Sequence, residues 1–509
     1  MNLSRKEFIK FTSLLPLLLG PKLIYQPAAN LEDPPDFNIL IVLFDAFSAK
    51  NIPFYGYPRN TTPNLNHFLD RATVYHNHYA AGSFTTPGTA SLMTGVYPWE
   101  HRAGYIWERV LPQFVDKSFF ALLDKFHRIT YTHNPVADVH LETFINDINI
   151  HKPVQELYLN TKSSLVDRFE KDYDAFSTSW VRTVVGDEGY ANSLFISRLN
   201  QLKQMAFQYQ FADLGAQFPR GLPFVTRNHF FILEDAINWS MNIIENSSDP
   251  FLAYFHYFPP HSPYDTRVEF IDQFKEDGYR PTEKPLHFFG RADKHTESKL
   301  KLRQRYDEYI LYVDAEFKRL LNHLETTGLD QNTWIIFTSD HGDLFERGFL
   351  EHPPFTLHEP VIRIPLLISR PGQTEREDIF TPTSAVDVLP TLMHLTGQEV
   401  PDWCAGMILP PFNPQPLPED RSIFAFDSRI NQNQPLSKGT GTIIKNGFKL
   451  TYYYGYKKLK DQEMIELFDL REDPEELTNL SNQHPQMVSA LLDELKSQLA
   501  QAAPGRTAI

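Results

Sequence analysis

Five short apolar runs constrain the fold most: NILIVLF (38–44), ITYTH (129–133), PFLAYFHYF (250–258), TWIIFTS (333–339) and IPLLIS (364–369). Each is apolar at consecutive positions, so a strand built from it needs cover on both faces. Segments with helical spacing lie between them, such as Tyr306–Glu325, YDEYILYVDAEFKRLLNHLE. Buried strands separated by helices predict a doubly wound, mainly parallel α/β sheet flanked by helices. In such sheets ligands bind beyond the carboxyl ends of the strands. Asp45, His261 and Asp340 closely follow three of the runs, so the pattern directs them toward one edge.

The 509 residues allow more than one domain, and 42% hydrophobic with 14% aromatic residues is a globular composition. A formal charge of −15 argues against general binding to nucleic acid or to an anionic membrane. An anionic substrate therefore needs local positive charge, from a metal or a few side chains. The single cysteine, Cys404, excludes an intrachain disulfide and a multi-cysteine zinc site.

Residues 1–30 carry basic residues (MNLSRKEFIKF) ahead of a short apolar run (TSLLPLLLG) and Pro27-Ala28-Ala29. This is the layout of an export signal, twin-arginine-like with Lys6 at the second arginine position, and predicts an exported protein. Membrane contact is expected only through this segment. Residues 31–410 are expected to form the catalytic domain, with 150–245 as a variable insertion shaping a substrate pocket. LPPFNPQPLP (409–418) reads as a linker. Residues 411–509 are expected to form a smaller α+β subdomain, with a strand–Asn-Gly–strand hairpin in TGTIIKNGFKLTYYYGY and a terminal helix, Gln486–Gln501.

The chemistry concentrates in SFTTPGTASLMTG (83–95), where Pro87 sits just inside a predicted helix and Thr85 or Thr86 lies near its N-cap. The free amides of a helix start favour an anion, and a threonine hydroxyl attacks only once a base or metal lowers its pKa. Asp45, and the pair Asp340-His341 before Gly342, end two apolar strands, and Asp with His suits zinc or a similar ion. His256 and His261 in FHYFPPHSPY fit charge stabilisation, leaving-group protonation or a second metal. His352 and His358 add further imidazoles. Singly, each of these has an ordinary structural reading: a turn or cap aspartate, a helix-capping threonine, a satisfied core histidine. The ordered set is the signal.

FDAFSAKNIPFYGYPRNTTPNLNHFL, SFTTPGTASLMTGVYP, FHYFPPHSPY, TSDHGD, EPVIRIPLLI and LFDLREDPEELTNL together resemble the sulfatase branch of the alkaline phosphatase superfamily. The resemblance runs from about residue 36 to the C-terminus and is weak across 150–245. It implies a metal-dependent ester hydrolase or transferase with Thr85 as nucleophile and metal ligand, and with Asp45, Asp340 and His341 on the same ion. His261 would meet the ester or leaving group, and His256 and His352 the substrate. Where formylglycine sulfatases carry Cys or Ser in C/S-x-P-x-R, this chain has Thr85, with Thr89 in place of the arginine. Asp45 is followed by Ala46 where such sulfatases pair two aspartates.

Threonine cannot yield the formylglycine aldehyde, which points to a phosphate ester, diesters included. A sulfate ester cleaved without formylglycine and a non-catalytic exported binding protein are the alternatives. The ligand set favours zinc or manganese over calcium. A second ion would draw on the remaining histidines but finds no obvious partner aspartate. The expected substrate is a small-molecule, lipid or glycan ester.

Overall fold

The structure, a computed structural model, describes residues 36–159, 211–226, 229–247, 250–291 and 296–501. The export segment and most of the 150–245 insertion lie outside the described residues.

Eight strands form the main sheet: β1 (Asn38–Phe44), β2 (Thr73–Tyr75), β3 (His127–Thr132), β4 (Ile150–Lys152), β5 (Phe251–Tyr257), β6 (Thr333–Thr338), β7 (Leu366–Ser369) and β8 (Glu377–Ile379). Their order is β8-β2-β7-β6-β1-β5-β3-β4. All neighbours run parallel except β7, which is antiparallel to both β6 and β2. A short apolar run such as IPLLIS carries no strand direction, so this reversal is visible only in the fold.

The apolar runs divide their side chains between two cores. Leu40, Val42 and Phe44 of β1 face one, and Ile39, Ile41 and Leu43 face the other. Burying each such side chain contributes roughly 1.5–3 kcal/mol, so a sheet layered on both sides is strongly favoured. The first core is covered by α3 (Leu233–Glu245) and α4 (Thr296–Thr327), through Ile237, Tyr309, Val313 and Phe317. The second is covered by α1 (Thr85–Thr94) and α5 (Val388–Leu395). α2 (Pro135–Thr143) follows β3 directly.

Register completes the arrangement. Phe44 pairs with Tyr257, Leu43 with both His256 and Thr338, and Thr132 with His256. The residues following β1, β3 and β6 therefore emerge at one carboxyl edge, beside the end of β5.

A second, four-stranded antiparallel sheet holds β9 (Ile423–Asp427), β10 (Gly439–Lys445), β11 (Phe448–Tyr454) and β12 (Met464–Asp469), in that order. Asn446 (φ 52°) and Gly447 (φ 78°) form the β10–β11 turn, as a two-residue hairpin requires. Helix α6 (Pro485–Gln501) packs Leu491, Leu495 and Leu499 on Ile443, Leu450 and Tyr452. This sheet meets the main body where the Phe426 N–H donates to Ala81 O at 2.9 Å and Trp99 lies edge-on to Phe424 and Phe426. Among the described residues no helix is long and apolar enough to cross a membrane.

Candidate active site

Asp45 leaves β1 with its N–H bonded to Tyr257 O at 2.9 Å. The chain then turns sharply, since Ala46 takes a left-handed φ of 59°, and its N–H reaches Asp340 Oδ1 at 3.3 Å. Asp340 Oδ1 also accepts the His341 N–H at 3.0 Å. The His341 Nδ1–H donates to Gly342 O at 3.1 Å, which leaves the lone pair on Nε2. That nitrogen lies 3.4 Å from Asp45 Oδ1 and 3.6 Å from Asp340 Oδ2.

All three of these atoms are buried without a hydrogen-bond partner. Converging lone pairs on two carboxylates and one imidazole are costly to bury unless a cation sits among them. The donor set therefore fits the divalent metal that the sequence implied. Asp45, Asp340 and His341 would hold it, with the Thr85 oxygen alongside.

The charges respond to this crowding. Burial raises Asp45, but His256, His261 and His341 outweigh it and hold the carboxyl well below its usual range. Burial and the Asp45 charge push Asp340 up. His341 is opposed by burial yet lifted to about 9 by Asp340 and Asp45, so a proton competes with a cation for its Nε2 lone pair.

Thr85 is the first residue of α1 and not its cap. Phe84 is the N-cap, and no side chain caps this helix. The Thr85 hydroxyl is thereby free of a capping role. Its neighbour is Asn134, absent from the sequence reading. As N-cap of α2, Asn134 accepts the Val136 N–H on Oδ1 at 2.8 Å, which fixes the amide orientation. Its Nδ2 then donates to Asp45 Oδ2 at 2.5 Å and to Thr85 Oγ1 at 3.2 Å. The signal available in the sequence was an Asn-Pro pair right after a strand.

Gly88 explains how α1 comes so close. A Cβ there would lie 2.4 Å from Asp340 O and 3.2 Å from Asp340 Cβ. Thr89, in the arginine position of the family signature, turns inward and donates to Thr85 O at 2.6 Å.

His256 is wholly buried, with Nε2 3.1 Å from Asp45 Oδ2 and 3.9 Å from Asp340 Oδ2. The ring expected at the substrate is therefore packed directly against both carboxylates. His261 and His352 do flank the site, their rings 5.0 Å apart and 6.3 and 4.3 Å from His341. The His261 Nδ1–H donates to Ser262 O at 2.8 Å, leaving Nε2 available.

The His352 Nδ1–H donates to Asp343 Oδ1 at 2.6 Å, and the Tyr264 hydroxyl donates to Asp343 Oδ2 at 3.0 Å. Asp343 stands within the TSDHGD motif, where the sequence reading found no partner aspartate for the histidines. Burial raises it to about 6. His352 is held well below its usual range by burial and by His341. Ligand atoms of His341, Asp343 and His352 lie within 4.8 Å of one another, as do those of Asp45, His256 and Asp340.

His358 does not join. It caps the short helix Glu359–Ile362 and turns toward Glu476, 3.6 Å away, in a separate buried network. There Lys449 of β11 pairs with Glu359 at 3.2 Å and Glu476 at 2.9 Å.

A family model described as Sulfatase matches residues 37–180 and 182–398. The chain belongs to the sulfatase family. A model for the C-terminal part of N-sulphoglucosamine sulphohydrolase also matches residues 346–504. The sulfatase-family chain is 25% identical to the uncharacterized sulfatase YidJ of Escherichia coli, over 90% of its own length and 86% of that protein. It is 23% identical to a choline-sulfatase of Rhizobium meliloti, over 87% and 82%. The phosphonate monoester hydrolase of Agrobacterium radiobacter superposes with a TM-score of 0.62 at 16% identity, covering 92% and 96%. This protein is accordingly an ester hydrolase of the sulfatase family, with an α/β fold and a smaller C-terminal part.

Proposed function

We propose that this protein cleaves a phosphate ester, diesters included, through Thr85 as the attacking nucleophile. One observation supports the reading: Asn134 Nδ2 bridges Asp45 Oδ2 and Thr85 Oγ1, tying the hydroxyl to the carboxylate whose other oxygen is buried without a partner. The metal, zinc or manganese on this donor set, would lower the pKa of the hydroxyl and neutralise charge on the ester. Asn134 steadies negative charge growing on the Thr85 oxygen. With its proton released to bulk water, the Thr85 oxygen attacks as the alkoxide, forming the O–P bond and breaking the bond to the alcohol, whose oxygen takes a proton from Nε2 of the His261 imidazolium. Water, giving its proton back to that nitrogen, then releases phosphate and restores Thr85.

His352, oriented by Asp343, offers a second imidazole at the same edge. A threonine oxygen supports phosphate over sulfate, because a sulfothreonine lacks the aldehyde hydrate's route of elimination. Sulfate-ester hydrolysis is the second reading, favoured by the likeness to a choline-sulfatase. The basic and apolar start of the chain supports an exported enzyme.

The test is turnover of aryl phosphates, phosphodiesters and aryl sulfates by metal-loaded wild-type and Thr85→Ala protein. Thr85-dependent release of phosphate above sulfate is expected. Sulfate release exceeding phosphate release, or equal and negligible turnover by both proteins, refutes it.

A further inference from the structure

The second sheet reaches back to the nucleophile. At the end of β9, Asp427 Oδ2 accepts the Ser83 hydroxyl at 2.6 Å, two residues before Thr85, and Arg429 Nε at 3.3 Å. Arg429 Nη2 donates to His352 O at 2.9 Å, and the guanidinium carbon lies 4.3 Å from the centroid of the Phe84 ring. The arginine is thus held between the residue preceding the nucleophile and the segment carrying His352. Its backbone takes a left-handed φ of 43°, which costs a non-glycine residue about 1–3 kcal/mol. Outliers of this kind persist where the surroundings hold a side chain to a task.

Charge defines the task. α1 contains no basic residue, and Asp45, Asp340 and Asp343 line the site, all buried. An anionic ester approaching three carboxylates needs cationic help beyond the metal side. The Arg429 side chain is 28% exposed, and its hydrogen bonds run from Nε to Asp427 Oδ2 and from Nη2 to His352 O. A planar fork with two of its nitrogens already engaged is pre-organised, and loses little entropy on accepting an oxyanion.

We infer that Arg429 is a substrate-binding residue, whose guanidinium donates to a non-bridging oxygen of the ester group presented to Thr85. This deepens the proposed function and rests on it for the placement of the ester. It makes the C-terminal sheet a contributor to anion recognition as well as to stability.

The experiment titrates inorganic phosphate and inorganic sulfate calorimetrically into full-length, metal-loaded wild type, Arg429→Gln and Arg429→Lys. Metal content, melting temperature and KM against kcat are measured on the same samples. Removing a charge-assisted hydrogen bond is expected to weaken anion binding by about ten- to a hundredfold in Arg429→Gln. Arg429→Lys should fall between, with KM rising more than kcat falls and with metal content and melting temperature retained.

Unchanged anion affinity in Arg429→Gln overturns the inference. So does a wild type that binds neither anion at 10 mM (about 2.7 kcal/mol of affinity or less), or a loss matched by lost metal and lowered melting in both variants. If no ester is turned over but Arg429→Gln still loses anion affinity, this inference stands and the proposed reaction falls. Thr85-dependent turnover with unchanged affinity and KM keeps the reaction and removes Arg429 from substrate binding.

Discussion

Gly88→Ala tests the geometry on which the site depends. In an exposed helix this substitution stabilises by up to about 1 kcal/mol, because alanine is the better helix former. Here the new methyl carbon would stand 2.4 Å from Asp340 O and 3.1 Å from Asp340 C, both backbone atoms that cannot rotate aside. Relieving the clash to an ordinary contact of about 3.5 Å needs a shift of about 1 Å between the first turn of α1 and the Asp340 turn. Overpacking of this kind costs about 1–3 kcal/mol, which outweighs the helical gain.

The shift also separates the Thr85 oxygen from the ligands of Asp340 and His341, and a displacement of about 1 Å in a reacting group costs about a hundredfold in rate. Gly88→Ala should therefore melt below wild type, bind metal more weakly and lose about two orders of magnitude in kcat/KM. Urea denaturation, metal analysis after dialysis and turnover of an aryl ester measure the three effects. A variant equal to or more stable than wild type, with full metal and activity, would show that α1 does not press on Asp340 as described.

Chelation should lower the melting temperature, since a metal at a hundredfold to a thousandfold over its Kd stabilises by about 2.7–4.1 kcal/mol; an unshifted melt after complete metal removal refutes the site. Asn134→Ala should lower kcat by about tenfold or more with the fold intact, and an unchanged kcat would deny its contact with Thr85 a role. Burial pushes His78 and His101 down to about 3 from 6.5. The unfolded chain therefore binds protons that the folded chain refuses, and stability present above pH 6.5 falls as pH drops toward 3. The loss approaches about 1.4 kcal/mol per pH unit for each histidine. His101→Gln should flatten the slope of the urea midpoint between pH 6 and 4, and an identical slope contradicts this.

The central strands β1, β5, β6 and β7 were legible as apolar runs, β1 occupying the full NILIVLF segment, whereas the three-residue strands β2, β4 and β8 carry no such run; the Asn446-Gly447 turn fell where an Asn-Gly pair demanded it. The convergence of Asp45, Asp340 and His341 was legible for the same reason, as polar residues directly beyond such strands. Asn134 was not, because its function depends on the Thr132–His256 register that carries it to Asp45. His256 lies inside the PFLAYFHYF run, so its place in the strand was legible, but not that its ring meets Asp45. His358 went elsewhere because the short helix it caps points it at Glu476. Arg429 lies in a segment with no periodic signature, and only the contact between the two sheets brings it beside Phe84.

The pairing of Lys449 with Glu359 and Glu476 bears on how such a chain can be divided. Glu359 belongs to the segment just after the metal-side turn, whereas its cation comes from the small sheet. A fragment stopping at the proline-rich 409–418 stretch would strip Glu359 of its counterion and uncover Val361 and Ile362, which pack on Ile423, Ala425 and Ile444. The terminal hundred or so residues are therefore not a detachable module, and grafting them onto a relative requires carrying the acidic partner along.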